Sequence, residues 1–80
     1  MQKWEYLQID VSFTIYPHVN ELISNGVKIF SNFEKEYKGK KVDFINYLAE
    51  LGTQGWELVT VSESDKFPFG REYIFKRSIE

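Results

Sequence analysis

The stretch "LAELGTQGWELVTV", residues 48 to 61, constrains the fold more than any other part of the chain. Leu48 and Leu51 end an apolar stripe with helical spacing, and "WELVTV" reads as a strand soon afterwards. Gly52 and Gly55 stand between the two. A chain that stops a helix, reverses and enters a strand in so few residues needs backbone angles that glycine adopts without strain. The spacing therefore predicts a helix lying close against the strand it feeds. Gly52 is expected in the left-handed position that follows the last helical turn. The Trp-Glu of this stretch also opens the chain, in "KWEYLQI".

Elsewhere the hydropathy pattern is clear in some places and ambiguous in others. In residues 4 to 16, Leu7, Ile9, Val11, Phe13 and Ile15 alternate with Gln8, Asp10, Ser12 and Thr14. A period of two predicts a half-buried strand. "VDFINYLAELG" sets Phe44, Ile45, Leu48 and Leu51 on one helical stripe, with Asp43 in the first turn where the helix dipole favours a negative charge. "REYIFKRS" reads as another strand, and "DKFPFG" before it is a turn broken by Pro68 and Gly70. Residues 17 to 41 fit two templates. Pro17 suits a first helical turn, Gly26 suits a helix end, and Val19, Leu22 and Ile23 share a helical face. This favours a short helix over 18–25, then an extended or strand-like stretch before the charged "KGKK" loop.

These elements make one α+β domain over residues 1–80: a small antiparallel sheet of about three strands, the 42–51 helix on one face, and an inserted segment at 17–41. The last strand is expected between the first strand and the Trp56 strand, which leaves the first strand as a long apolar edge. Such an edge, or the aromatic back face, predicts a subunit interface. The two Trp-Glu pairs read as parallel packing solutions. Each Trp closes one end of the core, and each Glu meets a cation such as Lys76 or Arg77 on a neighbouring strand. The echo is too short to indicate a duplicated module.

With the "WEY" strand, "LAELGTQGWELV" and a closing strand ending "FKR", the chain resembles the small bacterial and phage family known as domain of unknown function 4177. Leu48, Leu51, Gly52, Gly55, Trp56, Glu57, Leu58 and Val59 match that family's helix-to-strand hallmark position by position. The resemblance covers about residues 3 to 9 and 42 to 77, and segment 17–41 departs from it. It implies no catalytic residues, since the family has no established activity. It implies a phage or mobile-element source and an accessory or counter-defence role.

Composition narrows the function further. The chain has no Cys and one His, which excludes disulfides, thiolate metal sites and any metal site built on histidines alone. A core this small supplies only a few kcal/mol. Yet 14 of the 80 residues are aromatic, more than such a core easily hides. Both facts predict a homo-oligomer, with a dimer favoured, and leave room for a different protein as partner. A net charge of −2 with mixed signs argues against a duplex nucleic acid partner. No apolar run is long enough for a membrane helix, and the N-terminus lacks the apolar run of a signal peptide, so a cytoplasmic location is expected.

No residue set reads as an active site or a cofactor site. Trp4 and Trp56 can stack on a base or sugar, but core closure explains them more simply. Glu5 and Glu57 can be paired acids, but cross-strand ion pairs are the commoner outcome. His18 lacks a nucleophile at a recognisable spacing. Gly52-x-x-Gly55 follows a helix rather than opening one, so it is no nucleotide fingerprint. Two loops interleave cations with rings: Tyr37, Lys38, Lys40 and Lys41 in one, Lys66, Phe67, Phe69 and Arg71 in the other. Such loops suit a phosphate plus a stacked base, or else a solvated lysine loop and a core-covering turn. The leading expectation is a non-catalytic, homo-oligomeric interaction module. The alternative is a nucleotide-sequestering protein with a pocket between subunits, which requires both loops to converge on one concave site.

Overall fold

The computed structural model describes residues 2–34 and 40–79. It comprises β1 (Trp4–Ile15), β2 (His18–Ser24), β3 (Val27–Ser31), α1 (Phe44–Thr53), β4 (Glu57–Glu63) and β5 (Arg71–Ser78). The strands form one five-stranded sheet in the order β3-β2-β1-β5-β4, antiparallel throughout. The fold is α+β as expected, with β5 between β1 and β4. The sheet has two more strands than the sequence pattern suggested, and both lie in segment 17–41.

That segment departs from its sequence pattern. Where a helix over 18–25 is expected, residues 18–24 are strand β2 and Asn25 opens a turn, and Gly26 ends no helix. Asn25 and Gly26 both take positive φ, 48° and 81°, between Ser24 and Val27, which pair across the hairpin. Positive φ at both central residues defines the tight hairpin turn that matches strand twist, and Asn-Gly is its favoured sequence. Pro17 sits in the β1–β2 turn, after a cis Tyr16–Pro17 peptide, rather than in a first helical turn. With β2 on its other side, β1 is the central strand. The expectation that β1 is an exposed edge is therefore overturned. The true edges are β3 and β4.

Alternation along β1 builds the core. Leu7, Ile9 and Val11 are buried on one face. Ile9 lies opposite Ser24 on β2 and Tyr73 on β5, Leu7 opposite Phe75, and Val11 opposite Leu22, which in turn faces Phe30. Irregular register after Ser12 ends this alternation, so Ile15 at the strand's end is exposed. The helix covers the same face. Phe44, fully buried, sets its ring 5.3 Å from Phe13 and 4.8 Å from Tyr73. Full burial of one such side chain contributes about 1.5–3 kcal/mol.

Both helix ends follow from local sequence. Asp43 is the N-cap, with Oδ1 accepting from the backbone N–H of Ile45 (2.9 Å) and Asn46 (3.2 Å). These are donors that a helix start leaves without intrahelical partners. At the other end Gly52 stays helical, and Gly55 (φ 89°) takes the left-handed position. The Gly55 N–H donates to Gly52 O and the Trp56 N–H to Leu51 O, at 3.0 and 3.1 Å. This paired pattern is the Schellman closure, with the αL residue one step past the C-cap Gln54. The first glycine of the motif thus ends up inside the last turn, and the second makes the reversal.

Candidate functional site

The repeated Trp-Glu pairs meet on β5. Glu5 lies directly opposite Arg77 and accepts from its guanidinium Nε. Glu57 lies opposite Lys76, with Oε1 3.6 Å from the ammonium. The rings cross over: Lys76 sits 4.3 Å from the Trp4 ring centre, and the Arg77 guanidinium carbon 4.2 Å from that of Trp56. Each cation therefore takes a ring from one Trp-Glu pair and a carboxylate from the other. Arg77 also donates to the Gln54 carbonyl at 3.0 Å, at the helix C-terminus where a positive charge is favoured. The expected pairing of Glu5 and Glu57 with Arg77 and Lys76 is present, and the cluster as a whole is structural.

The two basic loops occupy separate hollows. Lys40 and Lys41 line one of about 420 Å³ with Thr14, Ile15, His18, Val19, Asn32 and Val42. Phe67, Phe69 and Arg71 line another of about 450 Å³ with Glu63, Ser64, Pro68 and Gly70. The two hollows have no lining residue in common. Tyr37 and Lys38, also read as candidates, lie outside the described residues. Lys66 reaches inward, its ammonium 3.6 Å from Asp10 Oδ2.

Asp10 is a feature that the sequence pattern concealed. Alternation assigns it to the face away from the helix, yet it is only 1% exposed. The β4–β5 loop folds over it. Ser64 donates its hydroxyl to Asp10 Oδ1 at 2.9 Å, and Gln8 Nε2 donates to Oδ2 at 3.2 Å. A buried carboxylate persists only when it is paired and hydrogen-bonded in this way. The loop's far end is equally constrained. A Cβ on Gly70 would lie 2.9 Å from Val11 O and 2.7 Å from Phe67 Cβ, so only glycine fits. Between these anchors Phe69 is held at φ 60° with its side chain wholly in solvent.

The remaining candidate surface is the β4 edge. All seven of its residues are exposed, including Leu58, Val59 and Val61 at 44–50%. The opposite edge, β3, has only five residues and carries Lys28 at its second position. A charged side chain on a short edge discourages strand addition. β4 has no cation and no proline.

Burial raises the phenol pKa of Tyr47, assisted by the charge of Glu50 and opposed by a hydrogen bond with Ser24. Burial likewise raises that of Tyr73, with Tyr16 adding to the rise and Arg71 opposing it. Both phenols belong to the packing between helix and sheet. Among the described residues no three His, Asp or Glu side chains are grouped to hold a metal, and no helix is long and apolar enough to cross a membrane. No family model, curated protein or solved structure matches the chain.

Proposed function

We propose that this chain is a non-catalytic interaction module, a phage or mobile-element accessory protein akin to domain of unknown function 4177, that works as a homodimer joined through β4. The observation that carries this reading is the β4 edge: seven exposed residues, three of them large and apolar, with no protecting cation. At roughly 3.3 Å per residue such an edge offers about 23 Å of unpaired backbone. An antiparallel two-fold pairing centred on Thr60 sets Val59 against Val61 of the second copy and extends the sheet to ten strands. Glu57 then faces Glu63 of the second copy at each end. Glu57 already pairs with Lys76 of its own chain, and Arg71 is the register neighbour of Glu63 on β5.

The aromatic content and the thin, elongated shape, 45 × 24 × 20 Å, favour the same reading, because one helix over one sheet face leaves apolar surface to cover. The nucleotide-sequestering alternative needs the two basic loops at one concave site, and within one chain they line separate hollows. Sedimentation velocity over a wide concentration range tests the proposal. The wild type should dimerise. Thr60→Lys, which sets two like charges across the two-fold axis at an exposed position, should be monomeric with an unchanged circular dichroism spectrum. A wild type that stays monomeric at high concentration, or a Thr60→Lys dimer as tight as wild type, overturns it.

A further inference from the structure

β4 has the pattern of a strand with one covered face, and its own chain leaves that face open. Leu58 pairs with Phe75 and Val61 with Tyr73. Residues paired across an antiparallel ladder share a face. Phe75 is buried in the core, and the Tyr73 ring lies 4.8 Å from that of Phe44 on α1, so Leu58 and Val61 are on the helix side of the sheet. On the other side β4 carries Glu57 opposite Lys76, Thr60 opposite Ile74 and Ser62 opposite Glu72. Apolar residues on one side and polar ones on the other mark a strand whose apolar side is packed. Yet Leu58 is 50% and Val61 44% exposed. The single helix among the described residues, α1, lies over only part of the five-stranded sheet.

The flank of α1 beside this strip is apolar as well. Tyr47 hydrogen-bonds with Ser24, so its side of α1 turns toward β2. Ile45, Leu48, Ala49 and Gly52 recur at i, i+3, i+4 and i+7 on the other flank, which looks toward β5 and β4. Ile45 is 54% exposed. Gly52 stands inside the last helical turn without a positive φ, and a Cβ placed on it would meet nothing within 4 Å. Neither backbone geometry nor packing within the chain requires glycine there, and glycine inside a helix is less stable than alanine. A bare backbone at this point lets another chain approach closely. Residues 54–56 join α1 to β4 and close one end of the trough between flank and strip.

We propose that this trough receives one amphipathic α-helix from another protein, laid beside α1 with its aliphatic stripe on Leu58, Val61 and Ile45. Size decides the occupant. The seven residues of β4 span about 23 Å, and a helix is about 10 Å across, so the trough presents about 230 Å². A second copy or another folded domain needs about 800 Å² per partner for a stable interface, roughly three times as much. A single helix of about 15 residues covers the length. Charge agrees with size. None of the six lining residues is ionisable, so the trough complements an uncharged stripe and leaves the polar face of the incoming helix in water. The site needs only one chain, because pairing through the β4 edge extends the sheet and leaves this face open.

The test is an amide nuclear magnetic resonance titration of the whole protein with three synthetic peptides of about 15 residues. One is built of leucine and lysine with the leucines in a single helical stripe, and the second replaces its lysines by glutamates. The third is a leucine–lysine scramble that spreads the leucines round the helix. Both striped peptides should shift residues 45–52 and 58–61 and gain helical circular dichroism on binding, and the scramble should bind about tenfold or more weakly. Leu58→Ser combined with Val61→Ser should weaken the striped peptides about tenfold or more, since burying either side chain is worth at least one such step. Gly52→Leu should melt no lower than wild type, because leucine is the better helix former, yet bind the peptides about tenfold or more weakly. Thr60→Lys, on the other side of the sheet, should bind them as wild type does whatever its oligomeric state, so this proposal and the β4 dimer fail separately. A response to the lysine peptide alone, shifts centred elsewhere, or undiminished binding by the double variant or by Gly52→Leu would each overturn it.

Discussion

Phe69 offers the sharpest test of how the β4–β5 loop is built. It holds φ at 60° without being glycine, and its ring touches solvent on all sides. A left-handed conformation costs an ordinary L-residue about 1–2 kcal/mol. Phe69→Gly removes that strain but frees the unfolded chain by about 0.4–1 kcal/mol, leaving a net gain of about 0.5–1 kcal/mol. Unfolding entropy near 2.1 cal/mol/K per residue gives about 170 cal/mol/K for a chain of this length, so Tm should rise by about 3–6 °C. Phe69→Ala is the control. It keeps the strain and discards only an exposed ring, so its stability should stay within about 0.5 kcal/mol of wild type. Differential scanning calorimetry of the three proteins reads both numbers. If Ala stabilises as much as Gly, the exposed ring rather than the backbone is responsible. If Gly destabilises, the ring has a contact and the strain argument fails. Strain that a single substitution relieves persists where an exposed side chain has a use.

Two further outcomes follow from the helix and its packing. Asp43→Ala should lower stability by about 1 kcal/mol in a urea titration, with Asp43→Asn retaining most of it, since either side-chain oxygen can cap the helix; equal losses for both would remove the capping argument. The raised phenols of Tyr47 and Tyr73 mean that the folded chain keeps these protons to higher pH than the unfolded chain does. Stability from them is complete below about pH 10 and declines as pH rises through the folded values, so a Tyr47→Phe, Tyr73→Phe double variant should show a flatter alkaline decline. An alkaline decline of unchanged steepness would count against buried phenols as its source.

Much of the sheet was legible because period-two alternation is a backbone property that packing rarely overrides. β1, β4, β5 and α1 lie within a few residues of where pattern alone puts them, and β5 lies between β1 and β4. The pattern cannot say how many neighbours a strand has, so it leaves β1 at an edge, whereas β1 is the central strand. The missed signal was Asn25-Gly26. The glycine suggests a helix end, but the pair is a two-residue hairpin turn; recognising it makes 18–24 a strand that pairs with the strand-like stretch expected after it, which is β3. The ion pairs of Glu5 and Glu57 were legible because cross-strand neighbours follow from strand order and approximate register. Asp10 was not legible, since its burial comes from a loop more than fifty residues later folding over it. The basic loops were found by composition, but whether they converge depends on three-dimensional placement that composition does not encode.

The position of β5 has a consequence for how the chain is made. It leaves the ribosome after every other strand, yet it fills the slot between β1 and β4 and brings both cations that the two Trp-Glu pairs share. Until residues 71–78 emerge, β1 and β4 each present an unzipped margin, and the turn after α1 lacks its arginine clasp. Assembly of the nascent protein therefore culminates in one late insertion, with no gradual layering from the N-terminus, and a crowded polysome is where its exposed margins are most in danger of meeting the wrong neighbour.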